Sequence, residues 1–166
     1  MNTTNSTIEN KIIQLLSEIP DPEIPVVNIV ELGMLKGISV DEKGTILVQL
    51  IPTYTACPAT NQIKTDVEKK LKENNINSKV EIVYHPAWTT DRIHPDALEK
   101  LKKYGIAPPQ GNITIHHLLE KKYKIQCPRC NSFNTVLLSP FGSTPCKALF
   151  QCKDCLETFD YFKCHL

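Results

Sequence analysis

Two Cys-x-x-Cys pairs in the last third of the chain constrain its fold more than any other feature. The pairs are Cys127-Pro128-Arg129-Cys130 and Cys152-Lys153-Asp154-Cys155, and residues 131–151 separate them. Two such pairs at this separation can converge on one tetrahedral four-sulfur site. Zn²⁺ is the default occupant, because a closed tetrathiolate site needs no open position and no redox change; iron would accept the same ligands.

The segment that carries these pairs is short. A module of about 40 residues buries too little surface to fold alone, and a bound metal would add on the order of 10 kcal/mol. We therefore predict a four-cysteine zinc-ribbon module over residues 125–166, with a structural metal held by Cys127, Cys130, Cys152 and Cys155.

The chain has seven cysteines, so three lie outside these pairs. Cys57 stands alone in the first half, and Cys146 and Cys164 lie near the pairs, the latter next to His165. In a reducing compartment, clustered Cys-x-x-Cys pairs indicate metal rather than disulfides. Cys146, Cys164 and His165 are either core and surface residues or part of an additional, labile metal site.

Composition indicates a soluble globular protein. The chain has 166 residues, 41% hydrophobic and 22% charged, which suits one ordinary domain plus a small module. A net charge of +1 gives no electrostatic argument for nucleic acid or for an anionic membrane. No run of 18 apolar residues occurs, and the N-terminus lacks the features of a signal peptide. We expect a cytoplasmic protein without a membrane partner.

Residues 1–106 read as a small α/β (α+β) domain. Apolar residues at helical spacing predict a helix that ends at Pro20, a second one through Ile63, Val67 and Leu71, and a third between Pro95 and Gly105. Three predicted strands, the first two forming a hairpin, span Met34–Val40, Thr45–Pro52 and Val80–Tyr84. We predict a three-stranded sheet with helices packed on it. The breaker cluster after residue 106 opens a linker over 107–124.

The stretch Thr53–Thr60 joins the second predicted strand to the second predicted helix. Pro58 fits the first helical position, which leaves Cys57 at or beside the N-cap. A thiol near the positive end of a helix dipole has its thiolate favoured and becomes a better nucleophile and metal ligand. The alternative is a small buried residue that packs the junction.

Two segments carry a family resemblance. The stretch Asp21–Gly33 (DPEIPVVNIVELG), followed by Thr53, Ala56, Cys57 and Pro58, resembles the small domain shared by SufT-like and eukaryotic cytosolic iron–sulfur assembly proteins. The ribbon segments SPFGSTPCKALFQC and FDYFKCH resemble the PaaD (PaaJ) family, the small accessory subunits of bacterial phenylacetyl-CoA epoxidase systems. The resemblance runs from about Pro20 to His165.

The resemblance implies an assembly factor for iron–sulfur centres that acts on the reductase component of the oxygenase, without catalytic residues of its own. It makes Cys57 the functional thiol that handles iron or a transient iron–sulfur cluster, with Asp21 and Glu23 as neighbours. One cysteine cannot hold a cluster alone. The expected partners are therefore the protein client, the cluster-assembly machinery and a second copy in a homodimer.

Other interpretations stay open from the residues. The chain could be a structural or interaction subunit of the oxygenase with an inert Cys57, and Asp21 and Glu23 could be a solvated turn. A nucleic-acid-binding ribbon is disfavoured, because the lysines of the ribbon are balanced by Asp154, Glu157 and Asp160. No two-His-one-carboxylate arrangement is present that would activate oxygen.

Overall fold

The computed structural model describes residues 3–111, 113, 115–120 and 123–163, with the side chains of residues 3–6 and 115 left aside. The chain forms two compact units, Met1–Trp88 and Thr89–Leu166. This division falls earlier than the boundary expected at residue 106, because the third helix contacts a short strand that pairs with the second sheet. Each unit is described by itself.

The first unit is a three-stranded sheet with two helices. Its elements are α1 (Thr3–Leu16), β1 (Leu35–Val40), β2 (Ile46–Leu50), α2 (Thr60–Glu73) and β3 (Ser78–Ile82). The strand order is β1-β2-β3. Strands β1 and β2 are antiparallel, and β3 runs parallel to β2 after the α2 crossover. The predicted mixed α+β fold, with its hairpin and three-stranded sheet, is confirmed.

The hairpin turn follows from its residues. Oδ1 of Asp41 accepts hydrogen bonds from the backbone N–H groups of Lys43 (2.9 Å) and Thr45 (2.8 Å). Gly44 adopts φ +79°, a conformation that favours glycine. These contacts fix the register in which Val40 faces Ile46.

The core of the first unit lies on one face of the sheet. The buried side chains come from alternate positions of β2 and from the apolar stripes of α1 and α2: Ile46, Val48, Leu50, Ile12, Leu16, Ile63, Val67 and Leu71. The segment between α1 and β1 adds Ile24, Val27 and Leu32. The indole N–H of Trp88 donates a 2.8 Å hydrogen bond to the Leu32 carbonyl and holds this segment in place.

The second unit contains a four-stranded sheet. Its elements are a 3-10 turn (Thr90–Arg92), α3 (Pro95–Tyr104), β4 (Ile106–Ala107), α4 (Ile115–Leu119), β5 (Thr135–Ser139), β6 (Lys147–Cys152) and β7 (Thr158–Phe162). The strand order is β4-β7-β6-β5, antiparallel except for the parallel pair β4–β7. The predicted helix between Pro95 and Gly105 is confirmed: proline opens α3, and Gly105 caps it at φ +94°.

An aromatic cluster fills the inner face of β6 and β7. Phe150 stacks on Phe159 and meets Tyr161 edge to face, in each case with ring centroids 5.9 Å apart. Cys127, Cys152, Ala148 and Ile125 belong to the same buried cluster. This core joins the strands directly to two of the predicted metal ligands.

Candidate functional site

The four cysteines of the Cys-x-x-Cys pairs come together at one end of the second sheet. Their sulfur atoms all lie within 4.8 Å of one another. The Cys127–Cys155 and Cys130–Cys152 sulfurs are 3.8 Å and 3.5 Å apart. A tetrahedral ion with Zn–S bonds of about 2.3 Å requires sulfur pairs about 3.8 Å apart, whereas a disulfide requires about 2.05 Å. The four side chains therefore fit a single tetrahedral metal ion.

Backbone N–H groups favour a negative charge on this cluster. A hydrogen bond from the Cys155 N–H lowers the pKa of Cys152. Burial opposes this effect, a second hydrogen bond from the Asp154 N–H adds to it, and the resulting pKa is about 7. The Ser132 N–H likewise favours the Cys130 thiolate, but its neighbour Cys152 and burial raise the pKa of Cys130 to about 12. Ionisation of one thiol thus makes ionisation of its neighbour less favourable. A divalent cation would favour the thiolate form of all four.

Side chains outside the sulfur cluster connect the two pairs. The carboxylate of Asp154, in the second pair, accepts hydrogen bonds from the Ser132 hydroxyl and from the Asn134 amide at 2.7 Å, both just after the first pair. Arg129 lies 3.8 Å from Glu157, which follows the opposite pair. These exposed contacts orient the ligand loops and add little stability of their own.

Cys57 lies in the turn between β2 and α2, as predicted, but not at the helix N-cap. Helix α2 begins at Thr60 with Ala59 as its N-cap, so Pro58 lies in the preceding turn and is not the first helical residue. The Cys57 carbonyl accepts the Thr60 N–H at 3.2 Å, and its own N–H donates to the Tyr54 carbonyl at 3.1 Å. The turn places Cys57 two residues before the N-cap.

The prediction that the thiolate is favoured at Cys57 is wrong. Burial raises the pKa of Cys57; a hydrogen bond from the Ala59 N–H opposes this, and the negative charge of Glu23 raises the pKa further. The Thr60 hydroxyl lowers the pKa and the charge of Asp21 raises it, each to a smaller degree. The pKa rises because the sulfur is half-buried and the negative charges of two carboxylates act on it, and these effects outweigh that of the helix dipole.

Both carboxylates lie on the turn that follows α1. Oδ1 of the buried Asp21 accepts hydrogen bonds from the N–H groups of Glu23 and Ile24, each 2.9 Å long. The Asp21 N–H in turn donates to the Val27 carbonyl at 2.9 Å. The proline-rich segment is thus a hydrogen-bonded turn rather than a loosely solvated one, and it brings Asp21 and Glu23 into electrostatic contact with Cys57.

Cys57, Asp21 and Glu23 interact electrostatically but do not form a closed group of ligand atoms. Among the residues that the structure describes, only the four ribbon cysteines bring metal-ligating atoms together in a closed group. Next to Cys57, the hydroxyl oxygen of Thr60 is buried and has no hydrogen-bond partner of ordinary geometry in the described part of the chain. The surroundings of the Cys57 sulfur thus contain a hydroxyl and the charges of two carboxylates.

The remaining predicted residues do not form a site in the described structure. Cys146 is buried, and its sulfur lies 3.0 Å from the Thr144 hydroxyl, apart from the ribbon cluster. Cys164 and His165 lie outside the described residues, so an additional metal site with Cys146 stays a prediction.

Sequence reasoning missed two buried lysines, Lys147 and Lys163. Lysine in a strand normally signals a solvent-facing position, and only the tertiary contacts of the second unit reveal the burial. Lys147 stands opposite Phe162 in the β6–β7 pair, and both side chains are buried, which the sequence pattern did not indicate.

Two known family models match the chain, one in each unit. A family model described as "Iron-sulfur cluster assembly protein" matches residues 9–82, and one described as "PaaD zinc beta ribbon domain" matches residues 113–163. The cysteine-bearing module is thus a metal-binding zinc ribbon, and the unit that carries Cys57 is of the iron–sulfur assembly type.

Individual relatives extend this result. An Escherichia coli K12 protein whose name makes it a subunit of 1,2-phenylacetyl-CoA epoxidase is 45% identical over 156 residues, 93% of this chain and 92% of that protein. An Fe-S protein maturation auxiliary factor of Porphyromonas gingivalis is 30% identical over 103 residues, 61% of this chain and 97% of that protein. A crystal structure of a DUF59 domain from Bacillus anthracis has a TM-score of 0.54 at 32% identity, covering 58% of this chain and 92% of that one.

In the described part of the chain, none of the helices has the length and apolarity needed to cross a bilayer.

Proposed function

Because the chain belongs to the PaaD family of phenylacetyl-CoA epoxidase subunits, we propose that it matures an iron–sulfur component of that oxygenase system, namely the reductase. Its relatives include proteins named as Fe-S maturation auxiliary factors, which supports an iron–sulfur assembly role. In this role the chain is an accessory factor that works in the cytoplasm, and its partner is a protein client.

The observation that carries the proposal is the position of Cys57 beside the Asp21–Glu23 turn. The sulfur in the β2–α2 junction is half-buried, and the negative charges of both carboxylates act on it. Thiolate and carboxylate ligands together suit ferrous iron, and they leave coordination positions for groups from a second protein. An open site of this kind suits a carrier, which has to release what it binds.

The raised pKa of Cys57 fits such a carrier. Without cargo the thiol keeps its proton, so it is a poor nucleophile and a poor ligand for stray cations. Iron placed between the sulfur and the carboxylates of Asp21 and Glu23 would favour the thiolate, and the proton would leave to solvent. Cysteines of the client would then replace Cys57 by ligand exchange and take the cargo away.

The four-cysteine ribbon has a different role in this proposal. Its four sulfurs leave no open position, so its zinc serves the fold and is not passed on. The residues present fit that ion: four cysteines at tetrahedral spacing with backbone N–H groups directed at the sulfurs. The ribbon thereby supplies a rigid surface for protein contacts.

The test is the metal content of the client in a strain that lacks this protein. The reductase component should be synthesised normally but contain less iron and acid-labile sulfide per polypeptide, and the wild-type gene should restore both. A fully loaded reductase in the deletion strain would contradict the proposed function.

A second function, a non-catalytic interaction subunit, is favoured by exposed apolar side chains on the ribbon. Phe133, Leu138 and Phe141 are each about half exposed. In that case the deletion would leave the reductase loaded but weaken assembly of the oxygenase complex. Measuring the oligomeric state of the oxygenase in the same strain separates the two functions.

A further inference from the structure

Cys146 and Lys163 face each other across two neighbouring strands. Strands β6 and β7 pair with Lys147 opposite Phe162 and Ala148 opposite Tyr161. The next pair in this register is Cys146 and Lys163, and the Lys163 N–H donates to the Cys146 carbonyl at 3.1 Å. Directly opposed residues of an antiparallel pair place their side chains on the same face of the sheet.

This face is the interior of the ribbon. The adjacent positions on the same face, Ala148 and Tyr161, are fully buried. Cys146 is 6% exposed and Lys163 is 1% exposed. A thiol-bearing and an amine-bearing residue thus stand at directly opposed positions of the same buried face.

The environment of the Lys163 amino group is unusual for a lysine. Nζ donates to the Pro140 carbonyl and lies 4.2 Å from the centre of the Phe141 ring. Burial lowers the pKa of Lys163 to about 8, and the charge of Cys146 opposes that shift.

From this juxtaposition we infer that Cys146 and Lys163 form an oxidation-dependent covalent crosslink, a sulfenamide, with peroxide as the oxidant. The pair is a modification site on the ribbon, separate from the zinc ligands and from Cys57.

The crosslink forms in two balanced steps. The sulfur of Cys146 attacks one peroxide oxygen; the S–O bond forms, the O–O bond breaks and water leaves, so that sulfur loses two electrons and peroxide gains them. The amine of Lys163 then attacks the sulfenic sulfur; the N–S bond forms, the S–O bond breaks and hydroxide leaves with an amine proton as water. In sum, thiol, amine and one hydrogen peroxide give a sulfenamide and two waters.

Burial determines whether a soluble thiol or the Lys163 amine attacks the sulfenic sulfur. Bulky thiols such as glutathione cannot reach a residue that is 6% exposed, whereas peroxide is a small molecule and Lys163 stands at the opposed position of the neighbouring strand. The crosslink would tie the start of β6 to the end of β7, at the end of the hairpin opposite its loop. A dithiol that reaches the pair by local opening would reverse it.

The test is mass spectrometry of the full, zinc-loaded chain after treatment with one equivalent of hydrogen peroxide. Remaining thiols are alkylated with iodoacetamide before digestion. We expect a peptide pair joined through Cys146 and Lys163, lighter than the sum of its parts by about 2 Da, without protease cleavage after Lys163 and released by dithiothreitol. Cys146 recovered as an alkylated thiol, as a sulfinic acid or in a disulfide with another cysteine would overturn the inference.

Variants provide the controls. Lys163→Met removes the amine and should abolish the crosslink, while Lys103→Met, on an exposed position of α3, should leave it unchanged. If Lys163→Met does not fold, the peptide map of the wild-type chain decides by itself. Cys57→Ser should crosslink like the wild type, so the outcome is independent of the proposed iron–sulfur role.

Discussion

At the scale of single residues, the thiol of Cys57 is subject to opposing effects. Half-burial and the charges of Glu23 and Asp21 disfavour the thiolate, while the Ala59 N–H and the Thr60 hydroxyl favour it. The effects that disfavour the thiolate are larger, so the pKa of Cys57 is raised. Removing one of the carboxylate charges should therefore shift the balance toward the thiolate.

The first prediction concerns the alkylation rate of Cys57. At pH 7 iodoacetamide should modify it more slowly than a model cysteine peptide, and the rate should rise with pH because only the thiolate reacts. Glu23→Gln removes a negative charge, lowers the pKa and should raise the rate at pH 7 by about two- to tenfold. Glu42→Gln, in the β1–β2 turn, is the matched control and should have no effect. A faster reaction of the wild type than of the peptide would contradict this account.

The second prediction concerns Gly142, in the loop between β5 and β6. A Cβ added there would overlap Oδ1 of Asp160 and lie 3.3 Å from the Ala148 carbonyl carbon. Asp160 cannot yield freely, because Ser143 donates to it through its N–H at 3.2 Å and through its hydroxyl at 2.7 Å. Gly142→Ala should thus lower the free energy of unfolding by about 1–3 kcal/mol, measured by chemical denaturation.

Gly37 supplies the comparison for this substitution. Nothing lies within 4 Å of a Cβ added there, so Gly37→Ala should change the free energy of unfolding of its own unit by less than about 1 kcal/mol. Equal effects of the two substitutions would show that the contact with Asp160 is not tight.

The residue scale also shows what the sequence could not provide. The sequence was sufficient to place Cys57 in a turn between a strand and a helix, because both flanking patterns are local. The sequence did not indicate that burial and two carboxylates distant in sequence would raise the pKa of Cys57. Nor did it indicate that Lys163 would be buried. Ionisation depends on groups far apart in sequence, so it follows from tertiary structure alone.

At the scale of secondary-structure elements, local chemistry was sufficient where the signals were strong. The Asp41–Gly44 turn fixed the hairpin, and Pro95 and Gly105 fixed both ends of α3. The two-residue strand β4 carries no local signal, and its parallel pairing with β7 spans about fifty residues of sequence. That pairing draws α3 into the second unit, whereas the sequence predicts the boundary after this helix.

The third prediction tests the metal ligands. Cys130→Ser removes one of four thiolates, so the second unit should lose its zinc and unfold, since a bound structural ion contributes on the order of 10 kcal/mol. Hydrogen exchange should show loss of protection in β5, β6 and β7 and, because it belongs to the same unit, in α3. Protection in β1, β2 and β3 should persist.

The ribbon outside the four ligands gives the control for this experiment. Ser132→Ala removes only an exposed hydrogen bond to Asp154 and should retain one zinc per chain. Stoichiometric zinc in Cys130→Ser would show that the four cysteines do not share one ion.

At the scale of the whole molecule, the two units divide the proposed work. One holds Cys57, the thiol that we propose to handle the cargo, and the other holds the four clustered cysteines and exposed apolar side chains. If the division falls at Trp88, residues 89–106 contribute nothing to the stability of the first unit.

The fourth prediction follows from that division. A chain truncated after Trp88 should unfold in denaturant with the same free energy, within about 0.5 kcal/mol, as one truncated after Ile106. Trp88 has to be kept in both, because its indole bonds to Leu32. A first unit that folds only in the longer chain would restore the boundary expected from the sequence.

The most direct test of the central claim is the iron and acid-labile sulfide content of the reductase component, per polypeptide, in a deletion strain that expresses Cys57→Ser. The serine is close in size and the ribbon is untouched, so the variant should fold and retain its zinc, which metal analysis and circular dichroism can verify. If Cys57 handles the cargo, the reductase should be as poor in iron and sulfide as in the strain without the protein. A reductase as fully loaded as with the wild-type gene would contradict the claim.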